Sequence, residues 1–454
     1  MLLLPEFHGR QVGLLGLGPN GRAAAAALTA SGANIVAWDG DQAQRTLSDV
    51  PCTPPRKWAT ADMAAVVLAD GNRDGLSRAL VEAAKACGVP VLTDLDLFAR
   101  GIVTLPEASR PDVVVVTGAA GKSVTVSIID HILREQGRHV AMGGPLGVPF
   151  LGLPAPDGPT TYLLELPVRR LSTARELRAD VTVLLNGAGT MAPGQMDLAL
   201  RTLTRVFKNQ RPEDTAIIGV DDPLGQKLCT ALKSSHPGTI IPASGEAALG
   251  HGTFALEGAA YTAQRGKTTL IGDYSRAPAF AGPHLNQDVA AAMAVCLSLG
   301  VEPAMIVKAL HSYQGLEGRF ECLGAAGPVL FVDDSYASSP TAAARAISAC
   351  PDVFWIGGHP EVPHHMAGGS PALASLHGTY LVGEKDETAH RNMKDAVAAA
   401  MKDANALLRA DPSAAPVILY APGVPCPSSA RKGGPLSEFR AVATDYIQGA
   451  VKYG

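Results

Sequence analysis

The chain has few aromatic residues, only 5% of the total, and little charge, with Asp, Glu, Lys and Arg together making up 18%. Neither shortage prevents folding, because 47% of the residues are hydrophobic, enough to fill sizeable cores with aliphatic and small side chains. There is no excess of basic charge: 38 Lys and Arg are set against 42 Asp and Glu, for a formal charge of -4. Such a balance gives no positive field to draw in nucleic acid or an anionic membrane. The seven cysteines (Cys52, Cys87, Cys229, Cys296, Cys322, Cys350 and Cys426) are scattered and never form CxxC, which argues against a disulfide framework or a zinc knuckle. No apolar run reaches the ~18 residues of a membrane span. The apolar start "MLLLPEFHGR" is interrupted at Pro5, Glu6, His8 and Arg10 before a signal-peptide core can form. The expectation is a cytoplasmic protein, a monomer, with no nucleic-acid or membrane partner.

At 454 residues the chain exceeds a single core, and ~150 residues per domain suggests about three. "QVGLLGLG", "PNGRAAAAALTASGA" and "NIVAWDGD" read as strand, helix and strand joined by a glycine turn, a Rossmann-like unit. "MAAVVLADG" and "GVPVLTDLDLFAR" supply further strands, and "PEASRP" reads as a linker. A second alternating block runs from "DVVVV" through "TTYLLELP", "ADVTVLLNGAG" and "DTAIIGVDD" to the helix "NQDVAAAMAVCLSLG". A third carries "PVLFVDDS", "DVFWIGG", "GTYLVGE" and "PVILYAP". Strands alternating with helices predict mostly parallel sheets covered on both faces. The fold class is therefore α/β in three domains, 1–110, 111–314 and 315–454, of which the first and last are Rossmann-like and the central one resembles a P-loop ATPase.

The central block opens on the chemistry. In "VVVVTGAAGKSVT" a buried strand runs into Gly118, Ala119, Ala120 and Gly121, and a helix starts at Lys122 and Ser123. Small residues let backbone N–H groups approach phosphate oxygens, and the helix N-terminus adds positive partial charge. Lys122 is placed to reach terminal phosphates and Ser123 to ligate Mg²⁺. Strict GxxxxGK[ST] spacing would put Gly at Val116, so the loop is a shortened variant. Glu165 ends "TYLLE", on a strand expected beside the loop strand, where its carboxylate could hold a second Mg²⁺. Gly16-Leu17-Gly18-Pro19-Asn20-Gly21 is a GxGxxG turn, followed by Asp39 at the next strand end. That turn suits either a dinucleotide or a nucleotide-sugar diphosphate, and the second phosphate loop favours the latter. "HPEVPHH" groups His359, His364 and His365 in a Pro-rich loop, without a further ligand at helical spacing to make a metal site.

The ordered set of these motifs resembles the Mur ligase family, most closely its D-glutamate-adding branch, over essentially the whole chain. "VTGAAGKSVT" is similar to the family's "TGTNGKST"; "RADVTVLLN", "GLEGRF", "FVDDSYAS" and "WIGG" follow in the family's order. The resemblance implies ATP and Mg²⁺ as cofactors, with ATP contacts from Gly118 to Val124 (Gly118, Ala119, Ala120, Gly121, Lys122, Ser123, Val124) and from Arg319 and Asp334. It implies metal ligation by Ser123 and Glu165, catalytic roles for Lys122 and Glu165, and a UDP-sugar peptide held near Gly18 and Asp39. The implied substrates are UDP-N-acetylmuramoyl-L-alanine and D-glutamate. Their coupling would run through an acyl phosphate, because a carboxylate is a poor electrophile until one oxygen becomes a phosphate.

Several positions depart from the family's pattern. Met191 stands where the resemblance implies a metal histidine, and a thioether suits a hard cation poorly. Leu203 stands at the place of a carbamylated lysine, and Lys208 is out of register with it. Tyr336 replaces a lysine, Gly318 a histidine, and Asp288 an asparagine expected near adenine; Pro145 removes an amide. Glu361 and "APGVPCPSSARKGG" lack the residues expected around D-glutamate. Two readings stay open: a working ligase with a reduced metal shell, or a paralogue that binds nucleotide and has lost or changed ligation. A third, a nicotinamide-dependent oxidoreductase using the GxGxxG turn, leaves Lys122 and its loop unexplained.

Overall fold

The computed structural model describes residues 1–69, 75–171, 173–187, 195–280, 285–337, 340–357, 375–382, 390, 392–424 and 435–451. They carry three sheets. The first consists of β1 (Gln11–Leu15), β2 (Asn34–Trp38), β3 (Ala65–Leu68) and β4 (Val91–Thr93), in the order β2-β1-β3-β4 and parallel throughout. The segment "GVPVLTDLDLFAR", expected as strand, gives only the three residues of β4 before turning into the helix Asp94–Thr104. Thr93 and Asp96 form a capping box at that point, satisfying orphan amides and starting the helix there.

The second sheet has nine strands: β5 (Asp112–Thr117), β6 (His139–Gly143), β7 (Thr160–Glu165), β8 (Val181–Leu184), β9 (Thr215–Gly219), β10 (Thr239–Ser244), β11 (Gly252–Leu256), β12 (Ala259–Gln264) and β13 (Lys267–Asp273). Their order is β13-β12-β11-β10-β9-β8-β5-β7-β6. β5 is interior and β-branched, with Val113 to Val116 buried, as a strand covered on both faces should be. The last four strands are absent from the sequence reading, because "TIIPAS" and "KTTLIGD" lack a long apolar run and β13 is largely exposed.

The third sheet contains β14 (Glu321–Ala326), β15 (Val329–Asp333), β16 (Asp352–Gly357), β17 (Leu376–Leu381) and β18 (Pro416–Tyr420), in the order β14-β15-β18-β16-β17. Only the β14–β15 pair is antiparallel among the described pairs of this sheet. The chain divides into two compact units: Met1–Ala255 with Ala260–Gly272 and Gln287–Ala309, and a second that includes Leu310–Gly454.

Within the first unit the first two sheets share one core. Leu14, Val67 and Phe98 pack in the same cluster as Val115, Tyr162 and Leu164. Asp94 and Arg170 form a buried ion pair across this junction, while Asp96 Oδ1 accepts the Arg175 and Glu176 amides at 2.7 and 2.9 Å. A buried pair of this kind fixes orientation more than it adds stability. None of the described helices is long and apolar enough to cross a membrane.

Candidate functional site

β5 delivers the loop at its C-terminal end, the side where open parallel sheets bind ligands. Gly118 (φ 144°) and Gly121 (φ 82°) take backbone angles that side chains resist, and the helix Lys122–Glu135 starts immediately after Gly121. Gly121 has a second reason to be glycine, since a Cβ there would lie 2.2 Å from Asp288 Oδ1. Gly118 and Ser123 are buried, Ala119 is exposed, and Ala120, Lys122 and Val124 are half-buried. Lys122 Nζ donates to the carbonyls of Gly118 at 2.9 Å and Ala119 at 3.1 Å, which holds the ammonium over the loop. Cationic side chain, glycine backbone and helix N-terminus thus converge on one spot, an arrangement suited to polyphosphate.

The strands on either side of β5 supply the flanks. In the β5–β7 register Val116 pairs with Glu165, so that carboxylate stands beside the strand end that feeds the loop. Glu165 is buried, and its Oε2 has no hydrogen-bond partner. A buried carboxylate oxygen without a hydrogen-bond partner suits a cation ligand, and with the Ser123 hydroxyl it offers the all-oxygen donors that Mg²⁺ prefers. Among the described residues no three His, Cys, Asp or Glu side chains gather into a metal cluster. Mg²⁺ commonly keeps waters and phosphate oxygens as its remaining ligands, so the residues present fit it.

Three departures from the family's pattern find a structural place here. Pro145 follows Gly144 in a tight turn closed by Gly147 N–H to Gly144 O at 3.0 Å; proline's fixed φ suits that position. Leu203 is fully packed with Leu184, Phe207, Ile218 and Leu228, so the position expected for a lysine belongs to the core, while Lys208 is exposed. The expected near-adenine residue Asp288 instead accepts the Thr125 hydroxyl at 2.7 Å and presses on Gly121, next to the phosphate loop.

On the first sheet, Gly18 is the N-cap of the helix Pro19–Ala30, and a Cβ on Gly21 would meet Gly16 O at 2.0 Å. Asp39 turns back on this glycine turn: its Oδ2 accepts the Leu17 amide at 2.6 Å and its Oδ1 the Asp41 amide at 2.8 Å. Asp39 therefore braces the turn in the form described.

In the second unit, Arg319 stacks on the Tyr336 ring, its guanidinium carbon 4.8 Å from the centroid, and Asp334 Oδ1 accepts the Phe320 amide at 3.1 Å. The replacements at 318 and 336 are coupled. Gly318 has φ 67°, and a Cβ there would lie 2.6 Å from Ser335 Oγ and 2.8 Å from Tyr336 Cδ2, so the tyrosine occupies the space a side chain at 318 would need. Gly318→Ala should destabilise the protein by about 1–3 kcal/mol through strain plus clash. Adding Tyr336→Ala should recover only the part of the clash made by the ring, leaving the strain and the Ser335 contact, a non-additivity that denaturant unfolding of the four variants would measure.

Burial pushes the Asp334 carboxyl up to about 7, against the opposing pull of the Phe320 amide and the Arg319 charge. From about pH 4, the ordinary carboxylate range, to about 7 the folded chain holds a proton that the unfolded chain has lost. Stability therefore falls as pH rises through that window. Asp334→Asn should lose this slope, gaining on the wild type between those limits; parallel slopes in unfolding titrations would contradict it.

Met191, Glu361, His359, His364 and His365 lie outside the described residues, as does most of the "APGVPCPSSARKGG" stretch. Asn186, which closes "RADVTVLLN", is set against the loop by the structure: its Oδ1 accepts the amides of Ala119 at 3.1 Å and Ala120 at 2.9 Å. Asn186 lies 66 residues beyond Ala120 and opens the stretch "NGAGTMAP" that leads to Met191.

No protein-family model matches the chain. It is 36% identical over 391 residues to the UDP-N-acetylmuramoylalanine–D-glutamate ligase of Phenylobacterium zucineum (strain HLK1), a match covering 85% of this chain and 83% of that one. With the ligase of the same name from Roseobacter denitrificans (strain ATCC 33942 / OCh 114) it shares 33% identity over 472 residues, all of both chains. Among solved structures, the UDP-N-acetylmuramoylalanyl-D-glutamyl-2,6-diaminopimelate–D-alanyl-D-alanyl ligase from Acinetobacter baumannii has a TM-score of 0.52 at 18% identity, covering 92% of this chain and 90% of that one; this likeness speaks to the fold. Identity of this degree, sustained from end to end, makes the chain a member of the UDP-N-acetylmuramoylalanine–D-glutamate ligase family, one of the Mur ligases.

Proposed function

We propose that the protein is an ATP-dependent, ADP-forming ligase that joins D-glutamate to UDP-N-acetylmuramoyl-L-alanine, a step of peptidoglycan precursor synthesis, and that it works as a cytoplasmic monomer. The observation that carries this reading is the glycine loop with Lys122 above it and the orphaned Glu165 oxygen beside it, in a chain that matches these ligases throughout. The division of labour follows the proposed domains 1–110, 111–314 and 315–454. Gly18 and Asp39 belong to the uridine-sugar side. Residues Gly118 to Val124 hold the nucleotide's phosphates, and Arg319 and Asp334 are its contacts in the last domain.

In this reading the loop amides and Lys122 neutralise charge that gathers as the terminal phosphoryl group moves to the substrate carboxylate. Mg²⁺, held by Ser123 and Glu165 with the phosphates themselves, would supply further charge compensation. The amine of D-glutamate then displaces phosphate from the activated carbonyl. Much of the rate enhancement comes from holding the reacting groups together.

The burial of Leu203 favours a second reading, a nucleotide-binding relative without ligation, because that position cannot supply a metal-bridging lysine. Mg²⁺-dependent ADP release decides between them. Release that requires both UDP-N-acetylmuramoyl-L-alanine and D-glutamate establishes the ligase; thermal stabilisation by ATP with no release under any combination of the two establishes the relative.

A further inference from the structure

A chain of side-chain hydrogen bonds crosses the C-terminal ends of β8, β9 and β10 and finishes on the phosphate loop. It starts at Asp221, whose Oδ1 accepts from Ser244 Oγ at 2.5 Å and whose Oδ2 accepts from the Gly245 amide at 2.8 Å and from Gln287 Nε2 at 2.8 Å. Gln287 Oε1 in turn accepts from Asn186 Nδ2 at 3.1 Å, and Asn186 Oδ1 accepts the Ala119 and Ala120 amides. Glycine at 219 is required chiefly by Leu185 O, which would lie 1.7 Å from a Cβ, and a Cβ would also stand 2.9 Å from Gln287 Nε2.

The bond directions are fixed consistently from both ends: the loop orients Asn186, whose Oδ1 faces two N–H donors and whose Nδ2 also donates to Ala120 O at 3.3 Å, and Asp221 orients Gln287. An ionised carboxylate can only accept, so Gln287 must turn its NH₂ towards Asp221 and its oxygen towards Asn186. Asn186 must then donate to Gln287, which leaves its own oxygen facing the loop N–H groups. Reversing either amide would place two acceptors or two donors against each other, and within this half-buried network that is costly.

We propose that Asp221 and Gln287 are positioning residues for the phosphate loop: through Asn186 they hold Ala119 and Ala120 in the shape that receives the nucleotide's phosphates. The inference rests on the reading of this loop as the ATP site, and the experiment separates the two. Amide hydrogen exchange at Ala119 and Ala120, read by NMR on the whole nucleotide-free protein, tests the chain of bonds; Mg-ATP binding by calorimetry tests the loop's role.

Gln287→Met, which keeps the side chain's length and removes both bonds, should speed exchange at these two amides by about tenfold and weaken Mg-ATP by a similar factor. Asn186→Asp should also speed exchange, because its carboxylate meets the Gln287 oxygen. Adding Asp221→Asn should then restore protection, since the amide introduced by that substitution can donate to the flipped Gln287; the same rescue should vanish in a Gln287→Met background. A variant that merely unfolds the region would not be rescued by a second substitution on another strand. Unchanged exchange in Gln287→Met, or no rescue in the double variant, would overturn the proposal. A wild-type protein that binds no ATP would instead overturn the reading of the loop, with the exchange results still deciding whether the positioning chain exists.

Discussion

Lys122→Ala should reduce substrate-dependent ADP release by at least about 10²–10³-fold while leaving the thermal midpoint almost unchanged. The asymmetry follows from where the side chain lies. Lys122 is half-buried on the first turn of its helix, and its ammonium bonds to two carbonyls of its own loop at 2.9 and 3.1 Å. Those carbonyls stand at a loop open to solvent and water can replace the lysine there, so the folded state loses little. Phosphoryl transfer has no such substitute. The charge that accumulates on the transferring group needs a fixed cation, and water brought in to replace it must reorganise at the moment of reaction. Lys122→Arg separates charge from shape: it keeps the cation, but a planar guanidinium cannot settle between two adjacent carbonyls as an ammonium does. It should recover ATP binding better than turnover. Full activity in the alanine variant, measured as ADP release with both substrates present, would remove Lys122 from the mechanism.

How far the sequence alone reached depended on whether chemistry was encoded locally. β5, the loop and the helix Lys122–Glu135 are contiguous, and their signals are a β-branched run, two glycines and a lysine in fixed order. The parallel strands with apolar cores were equally legible. Strands β10 to β14 were not, because segments of mixed apolar and polar composition such as "TIIPAS", "KTTLIGD" and "ECLGAA" look like loop when no neighbour is known. The helix starting at Asp94 reads as strand in the sequence because Leu95, Leu97 and Phe98 form an apolar run, while the capping box at Thr93 and Asp96 is what starts a helix there. Substituted positions showed the opposite behaviour. Gly318 and Tyr336 read in the sequence as two separate losses of a functional side chain, whereas in the fold they lie against each other, the Tyr336 amide donating to Gly318 O at 3.0 Å. The shared role of Asn186, Gln287 and Asp221 is hidden for a third reason: it lies in hydrogen-bond polarity, which passes between residues 66 and 101 positions apart.

Glu165→Leu should move stability and activity in opposite directions. The Glu165 carboxylate is buried and its Oε2 has no hydrogen-bond partner, a condition that typically costs about 1–3 kcal/mol. Leucine is close in volume, suits a buried strand position paired with Val116, and leaves no polar atom unsatisfied, so the metal-free variant should unfold at a higher denaturant concentration than the wild type. The same substitution removes the side chain proposed to hold Mg²⁺ beside the loop, and ADP release should fall by about 10²-fold or more. Mg-ATP provides the cross-check: it should raise the thermal midpoint of the wild type substantially and that of the variant much less, because a ligand stabilises only in proportion to its affinity for the folded state. A carboxylate kept for packing alone would give the reverse pattern, with the leucine variant less stable, equally active and equally responsive to Mg-ATP. If stability rises while activity collapses, the strain at Glu165 is retained for the cation it receives, and the metal shell works without a lysine at position 203.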